Sequence, residues 1–471
     1  MLFVNHNVFK SKFSAFVLIC RIAFALDDLQ VGRFVPAALP SLLLTLFLLV
    51  SDTWTQEILH LRLMSECEES PVEIEEELEA SLEEELCCLW DITTDQTLLT
   101  HLRHFQLVPV FTECIHKSHC PRLIEISLGI LANLSLDEEQ CSLLSEEQSF
   151  MVDALNLLAT DDTRILIELF RLLRSVLASR LHRQVWLDAI HFALEFIDRV
   201  NFILYSSTNA TLLMTTISAI ETILRIDDSL CELWCNERLL GSLQEAQKQM
   251  CWIHGDEVEI IYRLLYLFST NSTGVRTLMS KYKDIYPSFG VLMRKICEDE
   301  PHLIPFEKYD ASLRLILPVI DVILTNLSSY HALETFSCDK DILPCLFQIV
   351  FGCVSRNFIS GDLSLDGLWE DLSVLFGDLI RRVCEYIQDG GSEGKPPEDS
   401  DGLLYWLHNI EEGNQGLREA FVRCCLCRRA RAGVADAEGN AAVEVLRGHL
   451  VFVCQRLRLS KLLECSTTDH S

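Results

Sequence analysis

Positive charge is scarce in this chain: 39 Lys and Arg stand against 69 Asp and Glu, a formal net charge of -30 at pH 7. Such a surplus repels phosphate backbones and anionic lipid, so direct nucleic-acid binding is not expected. Glycine and proline are few, 19 and 12 in 471 residues, while 49% of the chain is hydrophobic. That balance excludes a disordered or fibrous chain and favours packed helices. No GxxxxGK[ST], GxGxxG, GxSxG or HExxH pattern stands at a suitable strand–helix junction, so the usual phosphate, acyl-transfer and zinc-protease chemistries have no foothold. Paired carboxylates abound, but in so acidic a chain they single out no acid–base couple. Compact disulfide spacing is also missing. The 20 cysteines are scattered along apolar faces, as at Cys87, Cys141, Cys231, Cys297 and Cys384. They read as the reduced, buried thiols of a cytosolic or nuclear protein.

What is present is a repeating apolar stripe. From Cys120 to Leu136 the sequence reads CPRLIEISLGILANLSL, with Leu123, Ile126, Ile130, Leu131 and Leu134 at three- and four-residue steps. That spacing marks a helix, and Pro121 suits its first turn, where a missing N–H costs no intrahelical bond. Gly129 and Ala132 are small enough to admit a neighbouring helix. A shift of 43 residues sets Glu125 on Glu168, Ile126 on Leu169, Ile130 on Leu173 and Leu134 on Leu177. A further 47 sets Leu173 on Ile220 and Leu177 on Leu224, and another 44 reaches Leu264, Leu267 and Phe268. Periods of roughly 40–47 residues are those of HEAT and armadillo arrays. The expected fold is therefore all-α, an armadillo/HEAT-like right-handed superhelix of helical repeats.

In chain order, residues 1–65 form an atypical extension with apolar segments, and 66–85 an acidic linker leading into a helix. The repeat array is expected over 86–389, a flexible linker over 390–402 (GGSEGKPPEDSDG), and a helical appendage over 403–471. Within the array, helices are expected at 109–115, 151–158, 164–177, 185–197, 212–224, 232–243, 258–268 and 313–327. Asp137 to Gln140 and Pro301 to Asp310 are expected as loops, and Asp91 or Thr94 as a helix cap. The apolar run from Val35 to Val50 falls short of the roughly 20 residues a membrane-spanning helix needs. A membrane-anchored adaptor using residues 35–50 is the alternative to a nuclear or cytoplasmic protein. The sequons at Asn133, Asn209, Asn271 and Asn326 do not outweigh the intracellular composition.

LEEELCCLWDITTDQ (Leu82 to Gln96), HCPRLIEISLGILANLS (His119 to Ser135), FILYSSTNATLL (Phe202 to Leu213) and RIDDSLCELW (Arg225 to Trp234) together resemble the serum amyloid A-like protein 1 family. The resemblance covers roughly residues 66 to 275, fades beyond, and does not clearly extend past Gly390. It implies an armadillo-like, non-enzymatic, largely nuclear protein that promotes cell proliferation, in vertebrates that of inflamed synovial fibroblasts. It brings no catalytic residue, ligand residue or cofactor to carry over.

Two Cys/His groups invite a metal reading. Cys114, His116, His119 and Cys120 have unusual spacing for paired ligands, and are expected to form a turn with incidental histidines. Cys424, Cys425 and Cys427 sit among Arg423, Arg428, Arg429 and Arg431, where neighbouring cations would lower thiol pKa. An exposed basic patch is the expectation there, and no metal or cofactor is expected. Asn133 matches the asparagine ladder that clamps extended peptides and Asn326 echoes it, but Val176 and Ile223 occupy the equivalent positions. The remaining candidate is a partner-binding groove lined by Glu125, Asn133 and Glu168, in which the stacked carboxylates take a basic protein segment. Arg122 and Arg164, on the same helices, are their competing ion-pair partners.

Overall fold

The computed structural model describes Leu63 and residues 78–96, 99, 102–250, 256–299 and 306–326. All regular structure among the described residues is helical. It falls into two units, one taking in Met1–Leu230 with Arg238–Glu257, the other Cys231–Glu237 with Val258–Ser471.

The first unit opens with α1 (Ala80–Thr93), α2 (Leu107–Lys117) and α3 (Pro121–Leu134). The next two repeats each have three helices: α4 (Glu138–Glu146), α5 (Gln148–Asn156) and α6 (Thr163–Ala178), then α7 (Arg183–Phe192), α8 (Phe196–Ser206) and α9 (Ala210–Ile226). α10 (Asp228–Trp234) and α11 (Glu237–Gln249) follow. The third helices make one layer, with α3 against α1 and α6, and α6 against α9. Their apolar stripes bury Ile130, Leu173, Val176, Ile220 and Ile223 completely. This is an armadillo-like helical repeat.

Three helices per repeat correct the expected boundaries. Asp137 to Gln140 is not a loop: the Asp137 side chain accepts from the Gln140 N–H at 3.2 Å and starts α4. The single helix expected over 185–197 is two, parted at 193–195. Phe192 and Leu194 had extended the apolar pattern, yet they are 85% and 88% exposed. The helix expected over 232–243 likewise divides into α10 and α11, with Asn236 donating to the Leu233 carbonyl at the break. Asp91 lies inside α1 and Thr94 closes it at the C-terminal end, so neither caps the next helix. The caps are Asp162 on α6, which accepts the Arg164 and Ile165 N–H groups, and Asn209 on α9.

Side-chain bonds tie each repeat to the next. Arg103 pairs with Asp137, 34 residues on, and with Glu139 at 2.7 Å. The Ser179 hydroxyl donates to Glu138 at 2.8 Å across 41 residues, and the indole of buried Trp186 to Ser145 at 3.0 Å across 41. Arg238 pairs with Asp198 across 40.

In the second unit, α12 (Asp256–Ser269) and α13 (Ser272–Asp299) are joined by Asn271, whose side chain accepts the Gly274 N–H at 2.7 Å. Its amide nitrogen donates to Cys231 Sγ at 3.3 Å, 40 residues back. Thr277 donates to the Cys235 carbonyl across 42, and Ser280 to Glu237 across 43. α14 (Phe306–Asn326) packs on α13 and begins inside the stretch expected as a loop to Asp310.

Candidate functional site

The candidate residues meet in a seam where α1, α3 and α6 lie side by side. Gly129 is the reason the seam closes: a Cβ there would come within 2.2 Å of the Trp90 indole. Its absence lets the indole settle against the α3 backbone. Arg171, from α6, then reaches across α3 to place its guanidinium carbon 5.7 Å from the Trp90 ring centroid, a cation–π distance.

The same guanidinium is fully employed. Nη2 donates to the Gly129 carbonyl at 2.9 Å, Nη1 to Asn133 Oδ1 at 2.9 Å, and Nε to Glu168 Oε2 at 2.7 Å. Asn133 passes the bonding on: its Nδ2 donates to Thr93 Oγ1 at 2.9 Å and, more weakly, to the Trp90 carbonyl at 3.4 Å. Asn133 is only 5% exposed. Its amide is committed inside the protein, and its sequon lies where no glycan could be attached without opening the seam.

Glu125 sits about two turns nearer the N-terminus of α3 than Asn133. It takes Arg122 Nη1 at 2.7 Å, while Nε of that arginine donates to Glu83 on α1 at 2.7 Å and Nη2 to Cys87 Sγ at 3.3 Å. Burial alone would lower the pKa of Arg122, but the bonds from Glu125 and Glu83 outweigh it and push the pKa up. Glu168 is pushed above its ordinary value chiefly by burial, with the Arg171 charge opposing and the Glu125 charge adding to the rise.

The structure therefore brings Glu125, Asn133 and Glu168 into one polar seam, but with two arginines between them. Glu125 pairs with Arg122 as expected. Glu168 pairs with Arg171, three residues later, rather than with Arg164. Sequence reasoning missed Trp90 and Arg171; the signals that could have found them are the glycine in the middle of the α3 stripe and the Glu168–Arg171 spacing. Val176 and Ile223, at the positions an asparagine ladder would need, are buried in the apolar layer. Asn326 folds back on the Val322 carbonyl of its own helix at 2.8 Å.

Outside the seam, α6 carries an exposed stripe with Arg164 and Arg174, neither of which makes an ion pair among the described residues. On α9 the corresponding positions carry exposed Thr211, half-buried Ser218 and buried Glu221, which pairs with exposed Arg225.

Other chemical groupings resolve into structural roles. His116 Nδ1 faces Asp153 at 2.7 Å, and Cys114 and Cys120 are buried cysteines. No group of three or more metal-ligating side chains converges among the described residues. Asp227, His191 and Ser229 cluster on the surface, but the Ser229 hydroxyl donates to Asp227 Oδ1 at 2.6 Å, so its proton is held by the carboxylate rather than offered to the imidazole. Asp227 also accepts the Leu230 N–H at 2.8 Å, as a helix cap does. Cys231 and Cys235 stand 3.7 Å apart; their mutual hydrogen bond and burial push the Cys235 thiol up, away from the reactive thiolate. The Cys424 to Cys427 group and the Val35 to Val50 run lie outside the described residues. No described helix is long and apolar enough to cross a membrane.

The chain is similar in sequence to known proteins. The chain is 25% identical to human protein SAAL1 over 297 residues, 58% of this chain and 63% of that protein. It is 28% identical to the Danio rerio protein saal1 over 292 residues, 58% and 62%. It thus spans less than two thirds of the length of these relatives. A designed armadillo repeat protein, 12% identical, covers 54% of this chain and 98% of its own at a TM-score of 0.39. At that score the fold rests on the three-helix repeats themselves. The family model of the SAAL1 C-terminal domain matches residues 196–454, reaching well beyond residue 275, where the resemblance had been expected to fade, and past Gly390. With more than half its length matched in this way, the chain belongs to the SAAL1 family.

Proposed function

We propose that the chain is a non-enzymatic scaffold that holds a partner protein against the exposed stripe of its third helices. The observation that supports this is the division of labour in the first unit. Polar groups joining α1, α3 and α6 satisfy one another, while α6 and α9 present polar side chains outward beside them. In this reading Glu125, Asn133 and Glu168 support the surface by fixing Arg122 and Arg171. A basic segment read directly by the two carboxylates would have to displace those arginines. From the family resemblance we take the cellular role to be nuclear or cytoplasmic regulation that promotes cell proliferation.

Photo-crosslinking in cells tests the surface. A crosslinkable residue at Ser175 or Ser218 should give discrete protein adducts, and one at exposed Asp188 on α7 should give few. Adducts of equal yield from all three positions, or none from the stripe, would sink the scaffold reading.

A further inference from the structure

Between Arg164 and Arg183 the sequence carries Arg164, Arg171, Arg174, Arg180 and Arg183 with a single carboxylate, Glu168. This is a basic island in a chain of net charge -30. The structure shows that the island is accessible. Arg164, Arg174 and Arg180 are exposed, and none makes an ion pair among the described residues. The carboxylates around it are largely occupied. Glu168 holds Arg171, Asp162 caps α6, Glu138 accepts from Ser179 and faces His182 at 3.4 Å, and Glu221 pairs with Arg225 at 3.2 Å. Asp161, at the edge of the α6 N-terminus, and Asp188 on α7 are further exposed negative groups near it in sequence.

On this ground, and resting on the scaffold reading, we infer that the α6 stripe of Arg164, Arg171 and Arg174 docks an acidic segment of a partner protein. Arg164 and Arg174, both exposed, each present donors in a planar fork that matches a carboxylate in two parallel bonds. Arg171 is already fixed by Glu168, Asn133 and Trp90, so it lends a preset orientation to the middle of the stripe. The rise from Arg164 to Arg174 is about 15 Å, the reach of roughly four to five extended residues. Long polyanions such as nucleic acid meet the repulsion of the whole chain, whereas a short acidic segment meets chiefly the island. This reverses the sign expected for the ligand at this face.

The test uses the full chain and a fluorescein-labelled deca-glutamate peptide, read by fluorescence anisotropy at low salt. The wild type should bind, with affinity falling as salt rises. Arg164→Glu with Arg174→Glu should weaken binding by at least about tenfold. Arg199→Glu with Arg276→Glu, the same charge change on α8 and α13, should weaken it by less than about twofold. Thermal melts should coincide, and Arg164→Gln with Arg174→Gln serves if the reversal disturbs folding. The inference is overturned if the wild type does not bind, if both sites weaken binding equally, or if oligo-dT competes as well as the peptide. It is also overturned if binding emerges only after residues 66–78 are deleted, since the occupant is then the chain's own acidic run. Loss of the peptide effect with crosslinked partners retained at Ser175 and Ser218 would remove this inference and leave the scaffold reading standing.

Discussion

The seams on the two sides of α6 are built differently. Toward α1 and α3, Arg171, Asn133, Thr93 and Trp90 bond across three helices over a glycine. Toward α9, the contact is an apolar layer of Val176, Ile220 and Ile223, and no side-chain hydrogen bond joins α6 to α9 among the described residues. Only the first dictates a register, because a guanidinium anchored through all three of its nitrogens tolerates little sliding, whereas an apolar layer accepts small shifts at low cost.

The largest expected effect treats the two seams alike. Ile130→Ala and Ile220→Ala each remove a side chain with no exposed surface and should cost about 2–5 kcal/mol through lost transfer energy and the cavity left behind. Hydrogen exchange should show the damage confined to the adjoining repeats, since each unit contacts only its neighbours. Protection lost evenly along the whole array would contradict it. Gly129→Ala separates the seams. Its Cβ collides with Trp90 and should cost about 1–3 kcal/mol despite alanine's better helix propensity. Trp90 fluorescence should change with it, and an unaltered spectrum and melt would mean that the indole does not lie where the structure puts it.

A smaller difference should appear between two arginines of one helix. Arg171→Ala strands Asn133 and Glu168 and should cost about 1–3 kcal/mol. Arg174→Ala, exposed and without an ion-pair partner among the described residues, should stay within about 0.5 kcal/mol. Equal denaturation midpoints for the two would show that the polar seam adds nothing to stability.

The smallest effect is in acid. Burial would raise the pKa of Asp137, but the Arg103 bond and the α4 N–H groups hold it below its ordinary 3.8. Because the folded pKa is depressed, the stabilisation is present above 3.8 and lost as pH falls through the folded value. Glu168 has the opposite sign: its raised folded pKa makes its contribution more favourable as pH falls through the folded value, and the gain is complete below its ordinary 4.5. Asp137→Asn keeps a capping side chain and should make the melting temperature less sensitive to acid as pH falls below 3.8. A pH profile parallel to wild type would remove Asp137 from the account.

The third helices were legible from sequence because their stripes are long and their inward positions uniformly apolar. The short first helices were not. α4 is an acidic stretch begun by a cap, and the α7–α8 corner is disguised by exposed Phe192 and Leu194, which carry the period without being in the core. The 43-residue shift placed Glu125 and Glu168 at equivalent points, and the structure finds them charge-coupled. Their partners were less legible. Glu168 has an arginine four residues before it and another three after it, and spacing alone does not choose between them. The choice is made by a missing Cβ on a different helix, which lets Trp90 lie where Arg171 can stack.

Every cross-repeat side-chain hydrogen bond described above closes a loop of 34 to 43 residues. Loops of nearly equal length carry nearly equal closure entropy, so no single bond is a bottleneck for the rest. At ordinary synthesis rates, about 5–20 residues per second, the residues completing each seam emerge roughly 2–8 s after the ones they join. The chain can thus consolidate on the ribosome one repeat behind its own growth, and force-sensitive arrest along nested truncations should show folding events spaced one repeat apart. A single late event would mean that the repeats wait for one another.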